Sequence, residues 1–240
     1  MPNPIAPHAH SPQVLATVAA KAEAALRLLH HVARDFTPAV FSTSLGAEDM
    51  VVTDLIARED IAIGIFTLDT GRLHPETYEL LATTERRYGR KISVYCPRHD
   101  LLEAYVGNHG INGFYESRDL RKACCHARKV EPLGRALAGK RAWVTGLRAE
   151  QAPSRGQLKT LVHDETYDLV KVNPLSDWSE AEVWAYLHSR GVPYNKLHDQ
   201  FYPSIGCAPC TRSVTPGEDI RSGRWWWENP ETKECGLHKK

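Results

Sequence analysis

The sequence predicts an α/β fold, a twisted and mostly parallel sheet held between helices, and three observations carry that prediction. Its 240 residues are 42% hydrophobic, enough to bury one ordinary core without disulfide staples. Short apolar, β-like runs alternate along the chain with segments of helical period. Buried strands in alternation with helices indicate a parallel sheet covered on both faces.

The elements follow in order. Residues 1–13, rich in Pro and His, are expected to be a disordered N-terminus. An amphipathic helix spans Val14 to Arg34, with Leu15, Val18, Ala19, Ala25, Leu26 and Leu29 on one side. The strand candidate AVFSTS leads into the helix AEDMVVTDLIARE, IAIGIFTLDT precedes PETYELLATTERRYG, and KISVYCP precedes DLLEAYVGN. RAWVTGLR and YDLVKVNPL supply later strands. In SEAEVWAYLHSRG, Ser179 is the N-cap, Glu182 completes a capping box and Gly191 stops the helix. From Thr215 onward the periodicity is gone. One domain over residues 14–214 and a C-terminal tail over 215–240 are therefore expected, the tail pinned by Trp225, Trp226 and Trp227 and mobile beyond them.

The formal charge of +1 gives no sign of a nucleic-acid or membrane surface. Positive charge is concentrated locally, in RDLRKACCHARK and IRSGR, which suits a small anionic ligand. The first residues lack the basic and apolar regions of a secretory signal, and no run approaches the roughly 18 apolar residues of a membrane span. Six cysteines are too sparse for a secreted disulfide scaffold, so a reducing cytoplasm is the expected location.

In an open α/β sheet, ligands sit at the carboxyl ends of strands, where helix N-termini point free N–H groups at anions. In FSTSLGAED, Ser42, Thr43 and Ser44 end a strand, Gly46 turns the chain and a helix begins at Ala47. No Gly-Lys-Ser/Thr follows, so it is not a Walker A loop. LDTGRLHPET is a second such loop, and TGLRAEQAPSR a third that carries Arg148 and Arg155. Arginine recognises phosphate-like groups bidentately, and three such loops together point to a nucleotide site.

The cysteines fall in KACCHARK, IGCAPCTR and ECGLH, with Cys96 alone in SVYCP, where it reads as a small core residue. Adjacent helical residues point about 100° apart, so Cys124 and Cys125 converge poorly on one small ion. A polynuclear cluster offers each a separate metal atom, and Cys207 and Cys210 form a chelating CxxC turn. The tetrad reads as a 4Fe–4S site. A four-thiolate zinc site and a redox-active CxxC beside inert thiols are the alternatives.

Taken together, GFYESRDLRKACCHARKVEPL, IGCAPCTR, LDTGRLHPETYEL, GRWWWE and the terminal ECGLH resemble the cluster-containing assimilatory adenylyl-sulfate (APS) reductases, a branch of the phosphoadenylyl-sulfate (PAPS) reductase family. The match runs from about Phe41 to His238. It implies an adenine-nucleotide α-hydrolase-like fold of the PP-loop type. It also implies reduction of APS to sulfite and AMP with a thioredoxin or glutaredoxin as electron donor, in sulfate assimilation toward cysteine. One 4Fe–4S cluster per subunit would be held by Cys124, Cys125, Cys207 and Cys210, and Cys235 would be the nucleophile. The resemblance places substrate contacts at the modified phosphate loop around Ser42 to Asp49, which holds Ser42, Thr43, Ser44 and Gly46, at Leu68, Gly71, Lys129 and Gly146, and at Arg148, Arg155, Arg221 and Arg224. It also admits a homo-oligomer. Arg118, Arg121 and Arg128 are either a solvated helix face or part of an anion funnel. The neighbouring readings are a reductase of PAPS and, more remotely, a non-catalytic metal-binding sensor on a nucleotide fold.

Overall fold

The computed structural model describes residues 11–151, 158–215 and 217–229. Helix α1 runs Pro12–Asp35, because Ser11 caps it by accepting from the Val14 N–H and Pro12 fits its first turn. It therefore starts two residues before the expected Val14, and residues 12 and 13 are helical. Its buried stripe is Val18, Ala22, Ala25, Leu29 and Val32.

Strand β1 (Ala39–Thr43) leads through a short loop into α2 (Ala47–Arg58), and β2 (Gly64–Leu68) leads into α3 (Pro75–Tyr88). Strand β3 (Ser93–Tyr95) precedes α4 (His99–His109), and α5 (Arg118–Cys125) carries the paired cysteines. A single π turn over His126–Val130 joins α5 to α6 (Glu131–Leu137). Strands β4 (Ala142–Val144), β5 (Leu161–Asp164) and β6 (Leu169–Val172) and helix α7 (Glu180–Arg190) follow.

The six strands lie in the order β3-β2-β1-β4-β6-β5, all neighbours parallel except the antiparallel pair β5 and β6. The order steps outward from β1 to β3 on one side and resumes at β4 on the other. The crevice between the ends of β1 and β4 is thus the topological switch point, where this class of sheet binds ligands. The principal core packs α1, α2 and α7 against one sheet face, with Phe41, Leu55, Ile63 and Val144 wholly buried. Val40, Phe66, Trp143 and Leu133 close the other face.

Among the described residues no helix is long and apolar enough to cross a membrane. Cys96 is exposed past the end of β3, not in the core as expected. β3 is only three residues long and ends at Tyr95, so the chain has left the sheet before it reaches the thiol.

Candidate active site

A cavity of about 310 Å³ opens at the switch point, and three strand-end loops form its walls. Ser42, Thr43, Ser44 and Gly46 come from the loop after β1, Leu68 from the end of β2, and Gly146 and Arg148 from the loop after β4. The loop after β1 is pre-shaped. Leu45 sits at φ 60 with its N–H on Thr43 Oγ1 at 3.0 Å, a compact left-handed turn that brings the chain to the N-terminus of α2. Trp143 Nε1 holds Ser42 Oγ at 2.8 Å from across the sheet.

Asp49, in the first turn of α2, binds these loops together. Its Oδ2 accepts from the Ser44 N–H at 2.6 Å and the Ser44 hydroxyl at 2.7 Å. A methyl group on Gly146 would sit 2.2 Å from Asp49 Oδ1, so only glycine lets the loop after β4 approach the carboxylate this closely. Burial pushes the Asp49 carboxyl up to about 6, against the Ser44 hydrogen bonds, which favour its ionised form.

Arg148 lines the cavity but is not a free cation. Its guanidinium is buried and pairs with Glu48 Oε1 at 2.8 Å and Glu150 Oε2 at 2.8 Å. Arg148 thereby ties the loop after β4 to the start of α2. Lys129, Arg221 and Arg224 stand in the lining at the far side. Gly206 has no side chain because the Arg224 guanidinium passes there: an added Cβ would lie 2.4 Å from Cζ. Gly71 is not in the lining. It forms a turn at φ 69, its N–H donated to Asp69 Oδ1 at 2.8 Å. Cys235 and Arg155 lie outside the described residues.

The four other site cysteines come together. Cys124, Cys125, Cys207 and Cys210, none in a disulfide, line a second cavity, with Arg72, Arg121, Arg128 and Lys129 around them. Among the described residues no three His, Cys, Asp or Glu side chains meet as ligands of a single ion would. The thiols instead surround a shared space, and the cations around it would offset the negative charge of a thiolate-bound group. Burial by itself would raise Cys207, yet Lys129, the Thr70 hydroxyl at 3.2 Å and Arg224 outweigh it and hold that thiol below its usual range. Burial pushes Cys210 up to about 12 and also raises Cys124. Lys129, set by the π turn, lines both cavities and is the shared wall between them.

Two of the arginines read from sequence as a solvated face or an anion funnel are not solvated. Arg121 is 1% exposed and paired with Glu228, and Arg128 is buried with its Nη1 on the Thr70 carbonyl. Sequence reasoning also missed His198, which lines the nucleotide-sized cavity at 3% exposure, its pKa lowered chiefly by burial. The stretch KLHDQ carries no pattern that marks it.

A mostly parallel sheet with its crevice at the switch point, walled by Ser- and Gly-bearing strand-end loops, defines an α/β fold of the nucleotide-binding class. The chain belongs to the phosphoadenosine phosphosulfate reductase domain family, whose pattern matches residues 38–213. It is 58% identical over 93% of its length to the adenosine 5'-phosphosulfate reductase of Allochromatium vinosum, covering 88% of that protein. It is 52% identical over 92% of its length to the enzyme of the same name from Burkholderia cepacia, again covering 88% of it. The crystal structure of PAPS reductase from Candida auris in a phosphate complex superposes with TM-score 0.67 at 27% identity, over 86% of this chain and 99% of that one. The FMN adenylyltransferase of Candida glabrata shares the fold alone, with TM-score 0.59 at 16% identity over 98% of this chain and 83% of that one. The expected PP-loop type of α/β fold and the family resemblance both hold.

Proposed function

We propose that this chain reduces APS to sulfite and AMP, with Cys235 as nucleophile and a dithiol protein of the thioredoxin or glutaredoxin class as reductant. The observation that carries the reading is the shared wall. A cavity of nucleotide size at the switch point adjoins a four-thiol cavity across Lys129, and Arg221 and Arg224 complete its cationic side. Relatives at 58% and 52% identity bearing the name adenosine 5'-phosphosulfate reductase support APS as the substrate over its 3′-phosphorylated form.

In this reading the loops after β1 and β4 hold the adenylate, and Lys129, Arg221 and Arg224 face the sulfonyl end. The Cys235 thiolate attacks sulfur, the S–O bond to phosphate breaks, and AMP leaves with the electron pair. The product is S-sulfocysteine. Cations around the sulfonyl group offset the repulsion between thiolate and dianion and favour the ionised thiol, whose ordinary pKa near 8.5 leaves it only a few per cent charged at about pH 7. A reductant thiolate then attacks the Cys235 sulfur, sulfite departs with the electron pair, and the reductant's second thiol resolves the mixed disulfide.

The four cysteines fit a 4Fe–4S cluster by donor chemistry, number and surrounding charge. When bound, the cluster would fasten α5 to the CxxC loop and shape the field at Lys129. Its ligands point to a reducing, cytoplasmic setting. Intact mass after incubation with APS and no reductant tests the reading: one sulfonate is expected on wild type and none on Cys235→Ser. Turnover at the wild-type rate by Cys235→Ser would overturn it.

A further inference from the structure

The chain from Arg221 to Asn229 belongs to no helix or multi-residue strand, yet it supplies Arg221, Arg224 and Trp225 to the cavity wall. Part of its support is backbone. An isolated bridge pairs Arg224 with Thr211, the Trp225 N–H reaches the Cys210 carbonyl at 3.2 Å, and the Arg212 N–H reaches the Gly223 carbonyl at 3.0 Å. These contacts hold the segment to the chain just after the CxxC turn.

The second support is a side-chain pair that spans 107 positions. Arg121 Nε donates to Glu228 Oε1 and Arg121 Nη2 to Glu228 Oε2, each at 2.8 Å, with the side chains 1% and 7% exposed. A two-pronged Arg–carboxylate pair fixes orientation as well as distance. Burying it carries a desolvation penalty that a hydrophobic pair would avoid, so stability alone is a poor account of it. The Arg121 guanidinium also lies 4.6 Å from the centre of the Trp225 ring, with Arg224 4.7 Å from the same ring, and it hydrogen-bonds the Cys125 sulfur. One side chain on α5 therefore touches the cavity wall, the base of the tail and a cysteine of the thiol cavity.

We propose that Glu228 is a positioning residue: its pair with Arg121 sets Arg221, Arg224 and Trp225 against the sulfonyl end of the nucleotide and so creates the preference for APS over AMP. The inference rests on the reading above that this wall faces the sulfonyl group. Without the pair, Arg224 and Trp225 keep their backbone ties but lose the anchor that fixes their angle to α5. The adenylate half, held by the loops after β1 and β4, is untouched.

The test uses full-length holoenzyme carrying Cys235→Ser, so that no covalent adduct forms, and titration calorimetry with APS and with AMP. The parent is expected to bind APS more tightly than AMP. Adding Glu228→Gln is expected to weaken APS at least tenfold and AMP less than threefold, with iron content unchanged. An unchanged APS-to-AMP ratio, or an equal loss for both nucleotides, would overturn the inference. Should Glu228→Gln fail to retain iron, Arg121→Met with Glu228→Met removes both charges and leaves neither buried alone. The same collapse of the ratio is expected there, and an unchanged ratio again overturns the inference. A parent that binds both nucleotides alike would instead sink the sulfonyl reading, and this inference with it.

Discussion

Asp49 concentrates much of the site's logic into one carboxylate. It accepts both hydrogen bonds of Ser44 and leaves no room for a side chain at position 146. Gly146→Ala would force its methyl group against a carboxylate already fixed by Ser44. The expected result is a folded protein that binds AMP at least tenfold more weakly, about 1.4 kcal/mol, by calorimetry. The same residue gives a pH signature. Its folded pKa of about 6 lies above the ordinary aspartate value of 3.8, so the fold disfavours the ionised form. Between those two values the native state binds more protons than the unfolded one, and this group's contribution to stability falls as pH rises, levelling off above about pH 6. Asp49→Asn removes that dependence. Its melting temperature relative to wild type is expected to rise between about pH 4 and pH 7, and a constant difference would show that Asp49 keeps an ordinary pKa. Ser44 and Gly46 were legible in sequence because strand–turn–helix chemistry selects them. Asp49 is legible only as the end of that loop, because its role depends on Gly146 in the distant loop after β4.

At the scale of elements, reading was easiest where the signal is local. The capping box at Ser179 and Glu182 and the αL stop at Gly191 appear as the sequence spells them. Glu182 does double duty, since its Oε2 accepts from the Ser179 N–H at 2.7 Å and from Lys21 Nζ at 2.8 Å, joining α7 to α1. Ser179→Ala is expected to cost about 1 kcal/mol, roughly 2–4 °C for a domain of this size, with AMP affinity unchanged. Calorimetric melting checks the first part, and a loss of affinity would place α7 closer to the site than its packing does. Two elements escaped the sequence. Strand β5 is an exposed antiparallel edge, with Leu161 38% and Val162 40% accessible, so it lacks a buried strand's apolar run. The π turn after Cys125 inserts one residue into a continuous helical pattern, and composition does not mark such an insertion. That turn nonetheless carries Lys129 into both cavities.

The molecule as a whole keeps its stability and its chemistry in different places. The principal core lies between the sheet and α1, α2 and α7. Cys124 belongs to a separate small cluster with Tyr105 and Phe114, and Val106, Cys210 and Trp227 pack on it. Little apolar area is buried there, so the region depends on polar ties such as Arg121 to Glu228, Tyr115 Oη to the Pro209 carbonyl at 2.6 Å, and the Ala208 N–H to the Arg72 carbonyl at 2.8 Å. Four thiols facing one another across that cavity would repel if ionised and unliganded, whereas the proposed cluster, when bound, would join α5 to the CxxC loop. Removing iron with a chelator should therefore open one side of the protein and spare the other. Hydrogen exchange is expected to accelerate over residues 105–125 and 207–228 while residues 39–68 and 180–190 stay protected. AMP should still bind, since the loops after β1 and β4 stand on the principal core. Exchange that rises uniformly, with AMP binding lost, would mean that the metal supports the entire fold and that the division between core and thiol cluster carries no energetic weight.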